Sequence, residues 1–194
     1  IKACRELGVQ VLTLYAFSTE NWSRSKREVT ALFELLSKYV DMELESIHKE
    51  DIRVSIMGRM DGLSERVRND LMRCQEVTRN NKSMVANVAI NYGGRAEIAD
   101  AAKAIARKVE TGTLSADAID EAVFAQHLYV PDLPDPDLLI RTSGEMRLSN
   151  FMLWELSYAE IVVTKTLWPD FRKKHLIQAI AQYQARQRRF GGRP

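Results

Sequence analysis

A chain of 194 residues, 45% hydrophobic and 28% charged, is long enough to bury one substantial core and too ordinary in composition for a disordered or fibrous class. A formal charge of +2 gives no argument for a nucleic-acid partner, so any basic site must come from local placement. Two cysteines, Cys4 and Cys74, build neither a disulfide framework nor a metal-ligand spacing and imply a reduced, cytoplasmic setting. No apolar run approaches the roughly 18 residues of a membrane span, and no stretch has the pattern of a secretory leader.

The chain opens on "IKACRELGV", which reads as the last turns of a helix ending near Gly8. Residues 9–17, "VQVLTLYAF", are β-branched and aromatic, as a buried strand requires. From Glu28 to about Lys49 the period changes: Val29, Leu32, Phe33, Leu36, Val40, Leu44 and Ile47 recur at helical spacing. "IRVSIMG", 52–58, alternates and stops at glycine, a second strand. Ser64 is placed to cap a helix bearing Val67, Leu71 and Cys74. "VANVAINY", 85–92, is a third strand closed by Gly93 and Gly94. Ile98, Ala102, Ile105 and Val109 mark the next helix, with Gly112 just past its end. Ser115 is expected to start a further helix through about His127.

After the proline-rich 130–137, "LLIRTS" (138–143) is a fourth strand, Ser149 or Asn150 is expected to open a helix, and "AEIVVT" (159–164) is a fifth strand. Leu176, Ile180 and Tyr183 give a last amphipathic helix. Strands alternate with helices, which predicts a single α/β domain over 1–194 with a mainly parallel central sheet flanked by helices.

In open parallel sheets ligands bind at the carboxyl ends of the strands. Three such ends are rich in polar residues: "STENWSR" after the first strand, "NYGGR" after the third and "RTSGEMRLSN" after the fourth. In the last, Arg141 and Arg147 flank Ser143, Gly144 and Ser149. Guanidinium forks suit phosphate oxygens, and a hydroxyl or N–H at a helix start adds donors, so the stretch reads as a diphosphate cradle. The competing reading is a loop whose arginines pair with Glu145 and Glu160. Glu160, at the start of the fifth strand, is either a ligand for a hard cation or an ion-pair partner. In "STENWSR", Ser18 and Asn21 offer hydrogen bonds, Arg24 a charge and Trp22 an apolar wall; the plainer use is a helix cap with Trp22 packing. His48, His127 and His175 have no partner spacing, and neither a Walker A motif nor G-x-G-x-x-G occurs.

Taken together, "YAFSTENWSR", "NYGGR", "LLIRTSGEMRLSNFMLWELSYAE", "LWPDF" and "RQRRFGG" resemble the cis-prenyltransferase family, the group of the undecaprenyl diphosphate synthases, in order and spacing across almost the whole chain. The resemblance implies a Mg²⁺-dependent transferase. It would condense isopentenyl diphosphate repeatedly onto an allylic primer such as farnesyl diphosphate, with cis double bonds, to give a polyprenyl diphosphate serving as cell-wall lipid carrier. It also implies an apolar tunnel between sheet and helices. Carried over by position, Arg141, Arg147, Leu148 and Ser149 match the isopentenyl diphosphate site and Glu160 the magnesium ligand. Asn21 matches the residue that assists proton removal, and Ser18, Thr19, Glu20, Trp22 and Arg24 match the substrate-binding loop. Arg189 and Gly191 match a tail that reaches the neighbouring site of a homodimer, with "LWPDF" as a candidate interface part. Release of an apolar product implies a peripheral membrane contact.

The trans-prenyl synthases use Asp-Asp motifs, and this chain contains no adjacent Asp pair. The family's first motif, Asp-Gly-Asn-Gly-Arg-Trp, with its catalytic aspartate and first strand, does not occur here. It is expected to precede Ile1, since the core otherwise lacks a strand; the alternative is a truncated chain. The other classes of function are a noncatalytic scaffold subunit, for which "STENWSR", both arginines and Glu160 would be superfluous, and a generic nucleotide-binding enzyme.

Overall fold

The computed structural model describes residues 1–186. Arg189 and Gly191 lie outside the described residues. The chain divides into two compact units, Ile1–Leu133 and the segment from Pro134 onward. Every strand pairing in both is parallel.

In the first unit, a short helix α1 (Lys2–Glu6) leads into β1 (Val11–Ser18). Helix α2 (Lys26–Lys49) returns the chain to β2 (Ile52–Met57), and α3 (Glu65–Thr78) returns it to β3 (Met84–Tyr92). The sheet order is β1-β3-β2, so β3, the most buried strand, is central. Each crossover spans a helix, as parallel neighbours demand. Both helices start where the sequence supplies a cap. Ser25 Oγ accepts the Glu28 N–H at 3.3 Å while Glu28 Oε2 accepts the Ser25 N–H at 3.2 Å. Ser64 Oγ accepts the Val67 N–H at 3.4 Å.

The apolar stripes of α2 and α3 meet one face of this sheet. Phe17, Val29, Leu63, Val67, Leu71 and Ile90 form the buried cluster, with Leu32, Phe33, Leu36, Ile56 and Val88 packed against it half-buried. Full burial of a side chain of this kind contributes roughly 1.5–3 kcal/mol, and the half-buried ones contribute less. Helix α4 (Gly94–Glu110) follows β3 directly. The single helix expected from Ser115 to His127 is instead a 3-10 turn, Ala116–Ala118, and a separate helix α5 (Glu121–Ala125). Ile119 is extended between them, and Asp120 Oδ1 accepts the Val123 N–H at 2.7 Å, restarting the helix.

In the second unit, β4 (Leu138–Arg141) pairs with β5 (Glu160–Val163), Leu138 opposite Glu160 and Arg141 opposite Val163. Helix α6 (Lys173–Gln184) packs on both strands. Among the described residues no helix is long and apolar enough to cross a membrane.

Candidate active site

The β1 end is built by a break in register. Pairing runs Tyr15–Ala89, then Phe17–Ile90, then Ser18–Tyr92, so Ala16 on β1 and Asn91 on β3 are each skipped. Bulges of this kind re-aim side chains at the rims of sheets. Beyond the bulge, Thr19–Ser23 form a 3-10 turn. Asn21 Oδ1 accepts the Ser18 N–H at 2.9 Å, and Ser23 Oγ donates to the Glu20 carbonyl at 2.7 Å. Thr19 Oγ1 donates to Glu20 Oε2 at 3.3 Å. Arg24 is extended and exposed, joining the turn to the separately capped α2. The capping reading of this stretch therefore holds for Ser18 and Asn21.

Trp22 packs against its neighbours while part of its ring stays exposed. Its ring lies edge-on to Phe17 with centroids 5.2 Å apart and 5.7 Å from Phe33. The indole N–H donates to Asn91 Oδ1 at 2.7 Å. Asn91 Nδ2 in turn donates to the carbonyls of Arg59 at 3.0 Å and Asp61 at 2.9 Å. An open cleft of about 600 Å³ lies here, lined by Thr19, Trp22, Arg59, Asp61, Asn91 and Lys103 among others.

Two of the cleft's charged groups, Arg59 and Asp100, pair with each other. Arg59 grips Asp100 with two bonds, Nε to Oδ2 at 2.7 Å and Nη2 to Oδ1 at 2.8 Å. Tyr129 donates its hydroxyl to Asp100 Oδ2 at 2.6 Å. The Arg59 bonds hold the Asp100 carboxyl below the usual aspartate range, with Tyr129 adding to them. Burial, then Asp100, pushes the Tyr129 phenol up.

In the second unit, Arg141 closes β4 and donates Nη2 to Ser149 Oγ at 3.3 Å. Its Nε is buried with no partner. The loop between them is tied to the segment just past β5: Ser143 N–H donates to the Thr166 carbonyl at 2.9 Å and Gly144 N–H to that of Thr164 at 2.8 Å. Arg147 is exposed and pairs with Glu145, as the competing reading expected, and Leu148 is half-buried. The helix expected at Ser149 or Asn150 does not form. Ser149, Asn150 and Met152 have φ of 52°, 61° and 43°, left-handed values that a right-handed α-helix does not accommodate. No helix dipole therefore supports an anion at Ser149.

Glu160 opens β5 and pairs with Arg186, which also donates Nη2 to the Ile161 carbonyl at 3.0 Å. Its partner is thus neither Arg141 nor Arg147. Among the described residues there is no cluster of three metal-ligating side chains. One carboxylate still suits Mg²⁺, which takes one or two from protein and the rest from water and phosphate. The donor set fits the ion provided Arg186 yields the carboxylate.

Within the first unit the structure thus brings Thr19 and Trp22 together with residues the motif reading missed, Asn91, Arg59 and Asp100. "NYGGR" marked the strand end, but nothing in it pointed to the Asn91 side chain. Within the second it joins Arg141 with Ser149 and separates Arg147 and Glu160 into other ion pairs.

A family model described as "Putative undecaprenyl diphosphate synthase" matches residues 1–191. An isoprenyl transferase of Heliobacterium mobile is 50% identical over 192 residues, covering 99% of this chain and 74% of that protein. A farnesyl-diphosphate-specific ditrans,polycis-undecaprenyl-diphosphate synthase of Pasteurella multocida is 45% identical, covering 99% and 80%. Among solved structures, lavandulyl diphosphate synthase from Lavandula x intermedia, in complex with dimethylallyl diphosphate, is similar with TM-score 0.95 and 39% identity, covering 98% of this chain and 82% of that one. A probable undecaprenyl diphosphate synthase from Campylobacter jejuni is similar with TM-score 0.87 and 37% identity, covering 98% and 87%.

Proposed function

The chain belongs to the undecaprenyl diphosphate synthase family and is a prenyltransferase; on that premise we propose that it condenses isopentenyl diphosphate onto farnesyl diphosphate in successive cis additions to give undecaprenyl diphosphate. The observation that carries the substrate reading is Arg141. A guanidinium whose Nε is buried and unpartnered, with Nη2 on the Ser149 hydroxyl, is a donor set left over for an anion. In this reading Arg141, Arg147 and Ser149 hold the diphosphate of the homoallylic substrate, with Leu148 against it, and Ser18, Thr19, Glu20, Trp22 and Arg24 order the turn that faces substrate.

Each addition forms a bond between C4 of isopentenyl diphosphate and C1 of the allylic chain, breaks the C1–O bond, and removes a proton from C2. Pyrophosphate leaves with the electron pair. Asn21 is an amide and no base; its Oδ1 is occupied by the Ser18 N–H, which leaves the Nδ2 donors for a ligand. It would assist proton removal by orienting the diphosphate oxygen that accepts the proton. Glu160 would hold Mg²⁺, which when bound neutralises charge on the leaving pyrophosphate. The half-buried Leu32, Phe33 and Leu36 of α2 and Val88 of β3 suit an apolar tunnel for the growing chain.

We take residues 1–194 as one prenyltransferase domain working as a homodimer; light scattering of the complete protein at micromolar concentration would contradict the dimer by returning a monomer. A cytoplasmic enzyme with a peripheral membrane contact for product release completes the reading. The decisive assay is Mg²⁺-dependent incorporation of labelled isopentenyl diphosphate with farnesyl diphosphate as primer. No product longer than the primer would sink the proposal.

A further inference from the structure

We infer that Asn91 is a positioning residue for the condensation: it holds Trp22, and through Trp22 the Ser18–Arg24 turn, against the loop that follows β2. The inference rests on the role proposed above for that turn.

Asn91 is set apart from its strand in three ways. It is skipped in the β1–β3 register, its φ is 48°, and its side chain is buried although polar. Left-handed φ is tolerated by asparagine better than by most residues. The conformation takes the side chain out of the regular alternation of β3 and brings its amide to two neighbouring segments at once. Every strong hydrogen-bonding need of that amide is then met. Oδ1 accepts from Trp22 Nε1 at 2.7 Å, and Nδ2 donates to Arg59 O at 3.0 Å and Asp61 O at 2.9 Å. The backbone joins in, since the Asn91 carbonyl accepts the Arg59 N–H at 3.3 Å.

Chemistry at this position is specific to an amide. Aspartate would still accept from the indole but would turn a carboxylate oxygen toward two carbonyls, with no donor for either. Alanine would leave both carbonyls and the indole without partners and would strain φ. The ring of Trp22 rests on Phe17 and Phe33, and the bond to Asn91 adds the one directional contact, fixing the indole N–H edge. Trp22 follows Asn21 directly, so anchoring its ring holds in place the backbone of the turn that carries the Asn21 amide, itself tied to the Ser18 N–H. A misplacement of about 1 Å in such a support costs on the order of a hundredfold in rate.

The test compares the complete wild-type enzyme with N91G, which keeps the left-handed backbone, with W22F, which keeps the ring packing and removes only the N–H, and with the double variant. In N91G the KM for at least one of the two diphosphates should rise about tenfold, with kcat falling. W22F should change the same constants in the same direction. The double variant should be no worse than N91G alone within about twofold, because both changes break one linkage. In ¹H–¹⁵N spectra the indole resonance absent from W22F is that of Trp22, and it should shift in N91G. Multiplying effects, an unmoved Trp22 resonance, or a kcat loss with both KM values unchanged would each overturn the inference. The last pattern is what mere loss of folded enzyme gives. Should N91G fail to fold, W22F decides alone: unchanged KM values overturn the inference. A wild type that elongates nothing sinks the proposed function; an active wild type matched by N91G sinks this inference only.

Discussion

The side-chain carbonyl of Asn21 accepts the backbone N–H of Ser18 at 2.9 Å. The oxygen caps the turn, and in the proposed function the two N–H groups of the same amide are the ones offered to a ligand. The two are separable. Asn21→Ala removes both and should cost about 0.5–1 kcal/mol in stability from the lost cap. Asn21→Asp keeps the acceptor, so its melting temperature should stay near that of the wild type. Its kcat should nonetheless fall on the order of a hundredfold, because the donors are gone and a negative charge faces diphosphate. Thermal melts and steady-state kinetics of both variants check this; an Asn21→Asp enzyme with normal kcat would leave Asn21 only its cap.

Arg141 carries the second prediction. If its spare N–H groups bind diphosphate, Arg141→Ala should raise the isopentenyl diphosphate KM about ten- to hundredfold, the equivalent of one or two charge-assisted bonds. Arg141→Lys should recover part of that, since an ammonium keeps the charge and loses the planar fork. The primer KM should move much less. Substrate titrations at saturating partner concentration separate the two constants, and an unchanged isopentenyl diphosphate KM removes Arg141 from the site.

These two residues were readable from sequence because each lies where a strong local pattern ends. Tyr15 to Ser18 closes a β-branched run, and Arg141 closes "LLIR", so the strand ends and their polar cargo are visible together. The α2 stripe from Val29 to Ile47 is equally local. The misreadings share a cause. Ser and Asn favour helix caps and also tolerate left-handed backbone, so Ser149 and Asn150 satisfied the first pattern while adopting the second. Asp120 had the same ambiguity in reverse, a cap hidden inside an apparent single helix. The Asn91–Trp22 bond joins residues 69 apart and depends on a register skip. The Arg59–Asp100 pair spans 41 residues, and Glu160 meets Arg186 only because a helix returns the chain. None of these leaves a periodic trace.

Gly58 gives a stability prediction of unusual size. Its φ is 121°, and a Cβ built there would lie 2.0 Å from the Ile90 carbonyl oxygen. Backbone strain alone costs about 1–3 kcal/mol in such a region, and the obstructing atom belongs to the central strand, which cannot yield cheaply. Gly58→Ala should therefore lose about 3 kcal/mol or more. It should also disturb the neighbouring Arg59 carbonyl that Asn91 holds. Urea denaturation measures the loss; a variant within about 1 kcal/mol of wild type would show that β2 and β3 separate here more easily than their packing implies.

The Arg59–Asp100–Tyr129 cluster sets an acid limit on the first unit. The bonds from Arg59, and then from Tyr129, favour the ionised carboxylate, so the folded Asp100 pKa lies below its ordinary 3.8 while the unfolded chain keeps that value. The unfolded state then binds more protons in the window between the two values, and stability falls as pH drops through it. Above the ordinary value the contribution is complete; below the depressed folded value it is gone. Asp100→Asn keeps an oxygen for Arg59 and Tyr129 but cannot titrate. Its stability should be lower than wild type at neutral pH and should converge toward it under acid. Urea midpoints taken from about pH 6 down to about pH 2.5 would show this as two curves that approach each other. Parallel curves would mean that Asp100 titrates alike in the folded and unfolded chains and that the pair exerts no linkage on folding.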